Sequence, residues 1–443
     1  MRHETFATVR PVDFAPSRRA LFGWMAGGAA FAATASPARA LWQAPAYPGL
    51  TGLVNDYVSS RRLPGAIVAI GRGAAAVDFI AAGTIAADSQ RVVDGDTLWR
   101  LYSQTKPVTG IATMMLIEDG RLRLDQPLAD ILPAFANARV LARPDAPLEE
   151  TVALTTPITI RHLLTHTAGL GYGLGRNNAV DRAWQERGLT PGQVSKLPLP
   201  GFPPGRTRGP IDVWADAVAE VPLIGQPGGA WRYSASLDLL GRVIEVASGK
   251  SFDVFLNERL FGPLGMISTS FQVAAADVPR FATNYAPFGG SLLPIDPAST
   301  SIYLDKPSFA FGGAGLVSSA RDYDRFLAML VGEGALGSTR VLSAENARLA
   351  MSNLLPEGAD VSGTFVAGNG FGAGGRVSLP GSPGGEGLFG WGGAAGTMGF
   401  VHRRLGLRCG GYANYMPAEA YDFQRRIGEL AIADVMAANA PAA

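Results

Sequence analysis

At 443 residues the chain can bury one large core or two smaller ones. A formal net charge of +1, with both signs spread along the sequence, offers no electrostatic footprint for nucleic acid or for an anionic membrane. The single cysteine, Cys409, excludes an intrachain disulfide and any multi-cysteine metal site, and reads as a quiet thiol in the apolar surroundings of a strand.

The first 40 residues read as a leader rather than as fold. Ser17-Arg18-Arg19-Ala20-Leu21-Phe22 opens a short apolar run from Gly23 to Ala35, and Ala38-Arg39-Ala40 offers an A-x-A cleavage site. This is the layout of a secretory signal peptide of the twin-arginine type. The expectation is a mature chain starting near Leu41 and working outside the cytoplasm, periplasmic or secreted. The apolar run is too short to span a bilayer, so no integral membrane segment is expected in the mature chain.

From there the periodicities alternate. Residues 50–58 predict an opening helix, and Ala66–Gly71 and Val77–Gly83 predict a β-hairpin. Thr97–Leu101 is an extended segment leading into Ser103-Gln104-Thr105-Lys106, an S-x-x-K at the mouth of an amphipathic helix. Val108, Ile111, Ala112, Met115 and Leu116 form its apolar stripe, and Gly120 is its exit. Short helices follow at Asp125–Leu128 and within Pro157–Leu170. A long irregular loop spans 171–210, with further helices over Val213–Val221, Leu237–Ser248 (capped by Gly249) and Phe252–Leu260, the last broken by Gly262-Pro263-Leu264-Gly265-Met266. Beyond Met266 the texture is strand-like, interrupted by helices at Asp322–Leu330 and Ser343–Leu349. Gly396–Val401 and Gly406–Tyr415 read as antiparallel strands, and Phe423–Met436 as a closing amphipathic helix. Strands at both ends with helices between predict an α+β fold whose sheet is built from the two termini. The α/β part covers about 41–100 and 266–437, the inserted helical part about 101–265.

The S-x-x-K has chemical content. A serine hydroxyl is a poor nucleophile until a neighbouring base takes its proton, and Lys106 lies one turn from Ser103 on the same side. The chain has four lysines, at 106, 196, 250 and 306, and only Lys106 has a serine three positions before it. A lysine admitted to an apolar helix in so lysine-poor a chain points to work rather than to solvation.

Three segments then stand in order: Ser103-Gln104-Thr105-Lys106, Tyr233-Ser234-Ala235 and Trp391-Gly392-Gly393. Their order and spacing resemble the serine β-lactamase and penicillin-binding-protein superfamily, most closely its class C β-lactamase-like esterases, the family VIII carboxylesterases. Arg161-His162-Leu163-Leu164-Thr165-His166-Thr167-Ala168-Gly169-Leu170, the run from Tyr233 to Glu245, and Pro263-Leu264-Gly265-Met266 carry the same resemblance, from about Asp56 to Met416. It implies an acyl-enzyme mechanism with Ser103 as nucleophile, Lys106 as its base or as the group keeping the base deprotonated, and Tyr233 as second proton carrier. It also implies an oxyanion hole from the backbone N–H groups of Ser103 and Ala394, and substrate contacts from Trp391, Gly392 and Gly393, with no cofactor and no metal.

Two departures shape the expected substrate. Trp391-Gly392-Gly393 replaces K-T-G, so no lysine ammonium is there to grip a β-lactam carboxylate, and Ala235 stands where class C enzymes carry an asparagine. Both favour a small-molecule acyl ester. An amidase, D-aminopeptidase or cell-wall peptidase, weak β-lactamase activity, and a non-catalytic sensor on the same fold are the alternatives. A Ser-His-Asp triad is disfavoured, because no G-x-S-x-G occurs. His162 and His166 read as packing and capping residues, and His402 as part of a solvated turn. Acyl and alcohol selectivity is expected from 171–210 and from Phe309–Gly315.

Overall fold

The structure, a computed structural model, describes residues 46–174, 178–197, 207–382 and 384–439. The leader reading over 1–40 lies outside them. A run of apolar residues, Ala66-Ile67-Val68-Ala69-Ile70, forms the strand Gly65–Arg72 and is buried on both faces. It pairs antiparallel with Asp78–Gly83 on one side and with Leu407–Tyr412 on the other. Pairing continues through Met398–His402, Leu388–Gly392, Arg376–Val377 and Gly370–Phe371, giving a seven-stranded antiparallel sheet. Five strands from the C-terminal part thus join two from the N-terminal part in the α+β sheet that the sequence predicts.

Alternation assigns the two faces. Ala66, Val68, Ile70, Phe400 and Cys409 pack against the helices Pro48–Ser59 and Phe423–Ala438. Those helices are tied by Asp434, whose carboxylate accepts from the N–H groups of Gly49 and Leu50 at 3.0 Å each. Ile67, Ala69, Val401 and Tyr412 join the larger core with the helix Lys106–Glu118 and the inserted helices. Cys409 is buried, and burial pushes its thiol far above the ordinary range, the quiet thiol expected.

Three elements differ from the sequence reading. The helix Lys106–Glu118 is not a one-faced amphipath: every residue from Lys106 to Leu116 is buried, because the sheet side and the inserted helices enclose it. The stretch 171–210 is not wholly irregular, since Ala179–Glu186 is a helix whose N-cap Asn178 accepts from the Asp181 N–H. The helix starting at Phe252 runs past Leu260, through Asn257–Phe261 and Gly262–Leu264, and ends inside the expected breaking phrase at Gly265, whose φ of +67° supplies the left-handed cap.

Candidate active site

Everything around Ser103 is held by backbone. The strand Leu98–Arg100 pairs with Val317–Ser319, and the Leu101 N–H donates to the Leu316 carbonyl. Tyr102–Thr105 forms a 3-10 turn, and the α-helix begins only at Lys106, one turn later than the motif suggests. Tyr102, just before the serine, has φ +45°, an unfavourable conformation for a residue with a side chain. It aims Ser103 out of the core while Gln104, Thr105 and Lys106 remain inside it: Ser103 is 9% exposed and Lys106 is fully buried.

The Lys106 amine has two partners. Nζ lies 3.1 Å from Ser103 Oγ and donates to the Gly313 carbonyl at 2.7 Å. The Gly313 N–H in turn donates to Asp238 Oδ1 at 2.9 Å. Asp238 is fully buried with Oδ2 unpartnered, and burial pushes its carboxyl up to about 6 while Lys106 pulls the other way. Phe309–Gly315 therefore does a different job from the one expected of it. Gly312 and Gly313 hold Thr109 and Lys106 by their carbonyls, and no residue of 309–315 lines the main cavity.

Tyr233 is brought in by three backbone bonds: Trp231 N–H to Asp360 O, Arg232 N–H to His166 O, and Ala235 N–H to Gly171 O. Its ring lies over Lys106 Nζ, 4.5 Å from centroid to nitrogen, and its hydroxyl accepts from Trp391 Nε1 at 3.2 Å. Hydroxyl, amine and phenol ring thus converge, although the phenolic oxygen turns to the tryptophan rather than to the lysine. A second tyrosine, Tyr172, occupies the other flank. It is packed edge-on against Tyr233 at 5.4 Å, its ring centre lies 5.6 Å from Lys106 Nζ, and burial pushes its phenol well above the usual value, with Tyr233 and Asp238 adding to the shift.

The third segment arrives on the strand Leu388–Gly392. Gly393 has no room for a side chain, since a Cβ there would fall under 3.0 Å from the Leu101 carbonyl oxygen. Backbone meets backbone, which puts the next residue, Ala394, beside the serine turn. Neither the Ser103 nor the Ala394 N–H donates to any acceptor among the described residues, and both residues line the same cavity. Two unengaged amides at a serine make an anion-stabilising pair available to a developing oxyanion.

That cavity has a volume of about 1640 Å³. Trp391, Phe365, Leu174 and Ile224 give it apolar wall, and Phe365 is 63% exposed. Ala235 is fully buried and makes no wall. His162 closes a capping box with Thr159, as expected. His166 packs at 4.9 Å from the Tyr233 ring and takes Ser234 N–H at 3.3 Å on Nδ1; burial and the nearby Lys106 hold it well below its ordinary value, so it is a neutral spacer. His402 is buried with Nε2 3.1 Å from the Gly384 carbonyl, which corrects the solvated-turn reading: Arg403 and Arg404 turn outward while the strand residue before them faces inward. Among the described residues, no cluster of three or more His, Cys, Asp or Glu side chains could hold a metal, and no helix is long and apolar enough to cross a membrane.

Tyr172 and Asp238 are the residues the sequence reading missed. Tyr172 directly follows the phrase ending in Gly169-Leu170-Gly171 and reads as loop. Asp238 stands in the first turn of the helix Ser236–Ser248, where an acid is unremarkable as a partner of the helix dipole.

Comparison with known proteins bears on the family and the fold. A family model described as Beta-lactamase matches residues 50–433. Esterase EstB of Burkholderia gladioli is 32% identical over 380 residues, covering 81% of this chain and 88% of its own. Lovastatin esterase of Penicillium rubens is 28% identical over 340 residues, 71% of this chain and 78% of its own. The solved structure of EstCE1, described as a hydrolase with promiscuous acyltransferase activity, superposes with a TM-score of 0.70 at 26% identity, covering 88% of this chain and 98% of that one.

Proposed function

The chain belongs to the beta-lactamase family and is a serine hydrolase, and from that premise we propose that it cleaves carboxylic esters of small acids through an acyl-enzyme on Ser103. The observation that carries the proposal is the 3.1 Å contact between Ser103 Oγ and the buried Lys106 Nζ at a cavity wall with two unengaged amides. In the first half-reaction the Ser103 proton passes to Lys106 as Oγ bonds to the ester carbon. The tetrahedral oxyanion is met by the Ser103 and Ala394 N–H groups. Its collapse breaks the bond to the alcohol, which leaves with a proton from the Tyr233 hydroxyl; the proton held on Lys106 restores the phenol by way of a water in the cavity, since amine and hydroxyl share no direct hydrogen bond. Water then repeats the sequence on the acyl-enzyme and releases the acid. Trp391 and Phe365, at the mouth of the site, favour an uncharged apolar group next to the scissile bond over the carboxylate of a β-lactam.

The cavity's volume also favours a second reading, transfer of the acyl group to an alcohol instead of water, since about 1640 Å³ leaves space for an acceptor beside an acyl-enzyme. Product ratios in the presence of a primary alcohol separate the two. Export before action rests on Arg18-Arg19 and Ala38-Arg39-Ala40; N-terminal sequencing of protein recovered from its native compartment checks it. The function itself is tested with a series of chromogenic esters of increasing acyl length on the wild type and on Ser103→Ala. Turnover confined to the wild type supports it, and equal turnover by the variant ends it.

A further inference from the structure

The mechanism leaves one buried charge unused. Asp238 stands in the first turn of the helix Ser236–Ser248, fully buried, and does not line the main cavity. One of its oxygens has a partner: Oδ1 takes the Gly313 N–H at 2.9 Å, and Oδ2 has none among the described residues. The Gly312-Gly313 backbone lies close against it. A Cβ on Gly313 would fall under 3.0 Å from Asp238 Oδ2, and one on Gly312 under 3.0 Å from the Leu237 carbonyl oxygen. Two helices hold this backbone between them. From Lys106–Glu118, Lys106 Nζ and Thr109 Oγ1 donate to the Gly313 and Gly312 carbonyls at 2.7 and 2.6 Å, and from Ser236–Ser248 the acid takes the N–H.

That N–H contact does not need a charge. An asparagine oxygen would accept it as well, without the cost of keeping a carboxylate out of water with one oxygen unpaired. The N-terminal end of the helix offsets part of that cost. Burial still raises the carboxyl to about 6, so at neutral pH it is an anion. The titratable groups that face it are Lys106, which draws its carboxyl down, and Tyr172, whose phenol it pushes up. Tyr233 and His166 also face Lys106. No carboxylate touches the amine itself, whose hydrogen-bond partners are Ser103 Oγ and the Gly313 carbonyl. An ammonium formed at this fully buried place is costly unless a counter-charge stands near.

We propose that Asp238 is a positioning residue for the reaction at Ser103: through the Gly313 backbone it fixes the Lys106 amine, and its carboxylate is the counter-charge to the ammonium formed when Lys106 takes the serine proton. The proposal rests on the ester-cleaving reading of Ser103. Asp238 itself exchanges no proton. As the bond from Oγ to the ester carbon forms, the Ser103 proton moves to Nζ, and the positive charge appears beside a negative one already in place. When the proton moves on towards Tyr233, the carboxylate remains. Nucleophile, base and a third group that orients the base are thus all present, with a lysine in the middle.

Asp238→Asn removes the charge and keeps the one contact the acid makes, so it is expected to fold. Kinetics on a neutral ester, 4-nitrophenyl butyrate, are followed from pH 5 to 9 on the wild type, Asp238→Asn, Asp238→Glu and Thr109→Val, the last loosening the same backbone at its other anchor. Asp238→Asn is expected to lower the kcat plateau by about tenfold with KM within about twofold, and to move the acidic limb of kcat/KM down by about one pH unit. Asp238→Glu regains part of the wild-type profile, and Thr109→Val leaves the limb where it is. A lower kcat with an unmoved limb, or a limb moved equally by Thr109→Val, would reduce Asp238 to packing and overturn the proposal. Because the chain has four lysines, the Lys106 side chain can also be followed by NMR with carbon-13-labelled lysine, its signal identified by loss in Lys106→Arg. On Ser103→Ala, with and without Asp238→Asn, the signal should change over at lower pH once the carboxylate is gone; coincident curves would overturn the proposal as well. Turnover surviving in Ser103→Ala would refute the nucleophile assignment instead, while the lysine signal would still decide whether the two charges interact.

Discussion

Lys106 Nζ lies 4.5 Å from the centre of the Tyr233 ring, whereas the Tyr233 hydroxyl is held at 3.2 Å by Trp391 Nε1. The phenol therefore offers its π-face to the amine and its oxygen to the cavity, where a leaving alcohol would stand. A second tyrosine, Tyr172, flanks the same amine, its ring centre 5.6 Å from Lys106 Nζ and edge-on to Tyr233.

Tyr233→Phe keeps the ring over Lys106 and deletes only the hydroxyl. If that hydroxyl carries the proton to the alcohol, kcat falls by about 10²- to 10⁴-fold with KM little changed. Tyr172→Phe keeps the edge-on packing against Tyr233 and is expected to cost less than about tenfold. Steady-state kinetics on a short chromogenic ester distinguish them, and a reversed ranking would transfer the proton-carrier role to Tyr172.

Asp238 makes stability depend on pH. Its carboxyl titrates near 6 when folded, raised by burial, and near 4 when unfolded. Between these values the folded chain holds the extra proton, so folding stability falls as pH rises from about 4 to about 6 and is level above. Asp238→Asn retains an acceptor for the Gly313 N–H and removes the titration. Its folding stability should gain on the wild type across that window, by a difference approaching about 3 kcal/mol above it, read as a rising gap in melting temperature. Parallel melting curves from pH 4 to 7 would contradict this.

Gly393→Ala tests the close approach that brings Ala394 to the serine. The added Cβ meets the Leu101 carbonyl oxygen and Thr397 Oγ1, both nearer than 3.0 Å, so the strand end must move away. Loss of one oxyanion donor costs about 10²- to 10³-fold in kcat. A circular dichroism melt alongside the assay checks that the fold survives.

Below the site, Arg100 is fully buried and its guanidinium pairs with Asp296 at 2.6 Å, donates to Ser301 Oγ at 3.1 Å and to the Ala282 carbonyl, and lies over the Phe281 ring. Asp296→Ala strands that cation in the core. A destabilisation of about 3–5 kcal/mol in urea unfolding is expected, whereas Arg143→Ala, on an exposed pair, should cost less than about 1 kcal/mol.

The parts of this site that are legible in sequence are those fixed by local pattern. Ser103 and Lys106 are three apart, Tyr233 opens a recognisable run, and Trp391-Gly392-Gly393 completes the order, whereas the approach of Gly393 to the Leu101 carbonyl shows only in the fold. The sheet from both termini follows from where the apolar runs fall. What stays hidden depends on long-range contact. Asp238 reaches Lys106 only through Gly313, 75 residues later. The helix Ala179–Glu186 is masked by its Gly- and Pro-rich surroundings, although Val180, Ala183 and Trp184 carry helical spacing.

The account turns on a covalent bond to Ser103, and intact-mass spectrometry of enzyme quenched during turnover of a 4-nitrophenyl ester reads it directly. The prediction is one acyl group per chain, mapping to the peptide that contains Ser103, absent from Ser103→Ala and decaying as the ester is consumed. Steady turnover with no adduct under fast quench, or an adduct on any other residue, would contradict it.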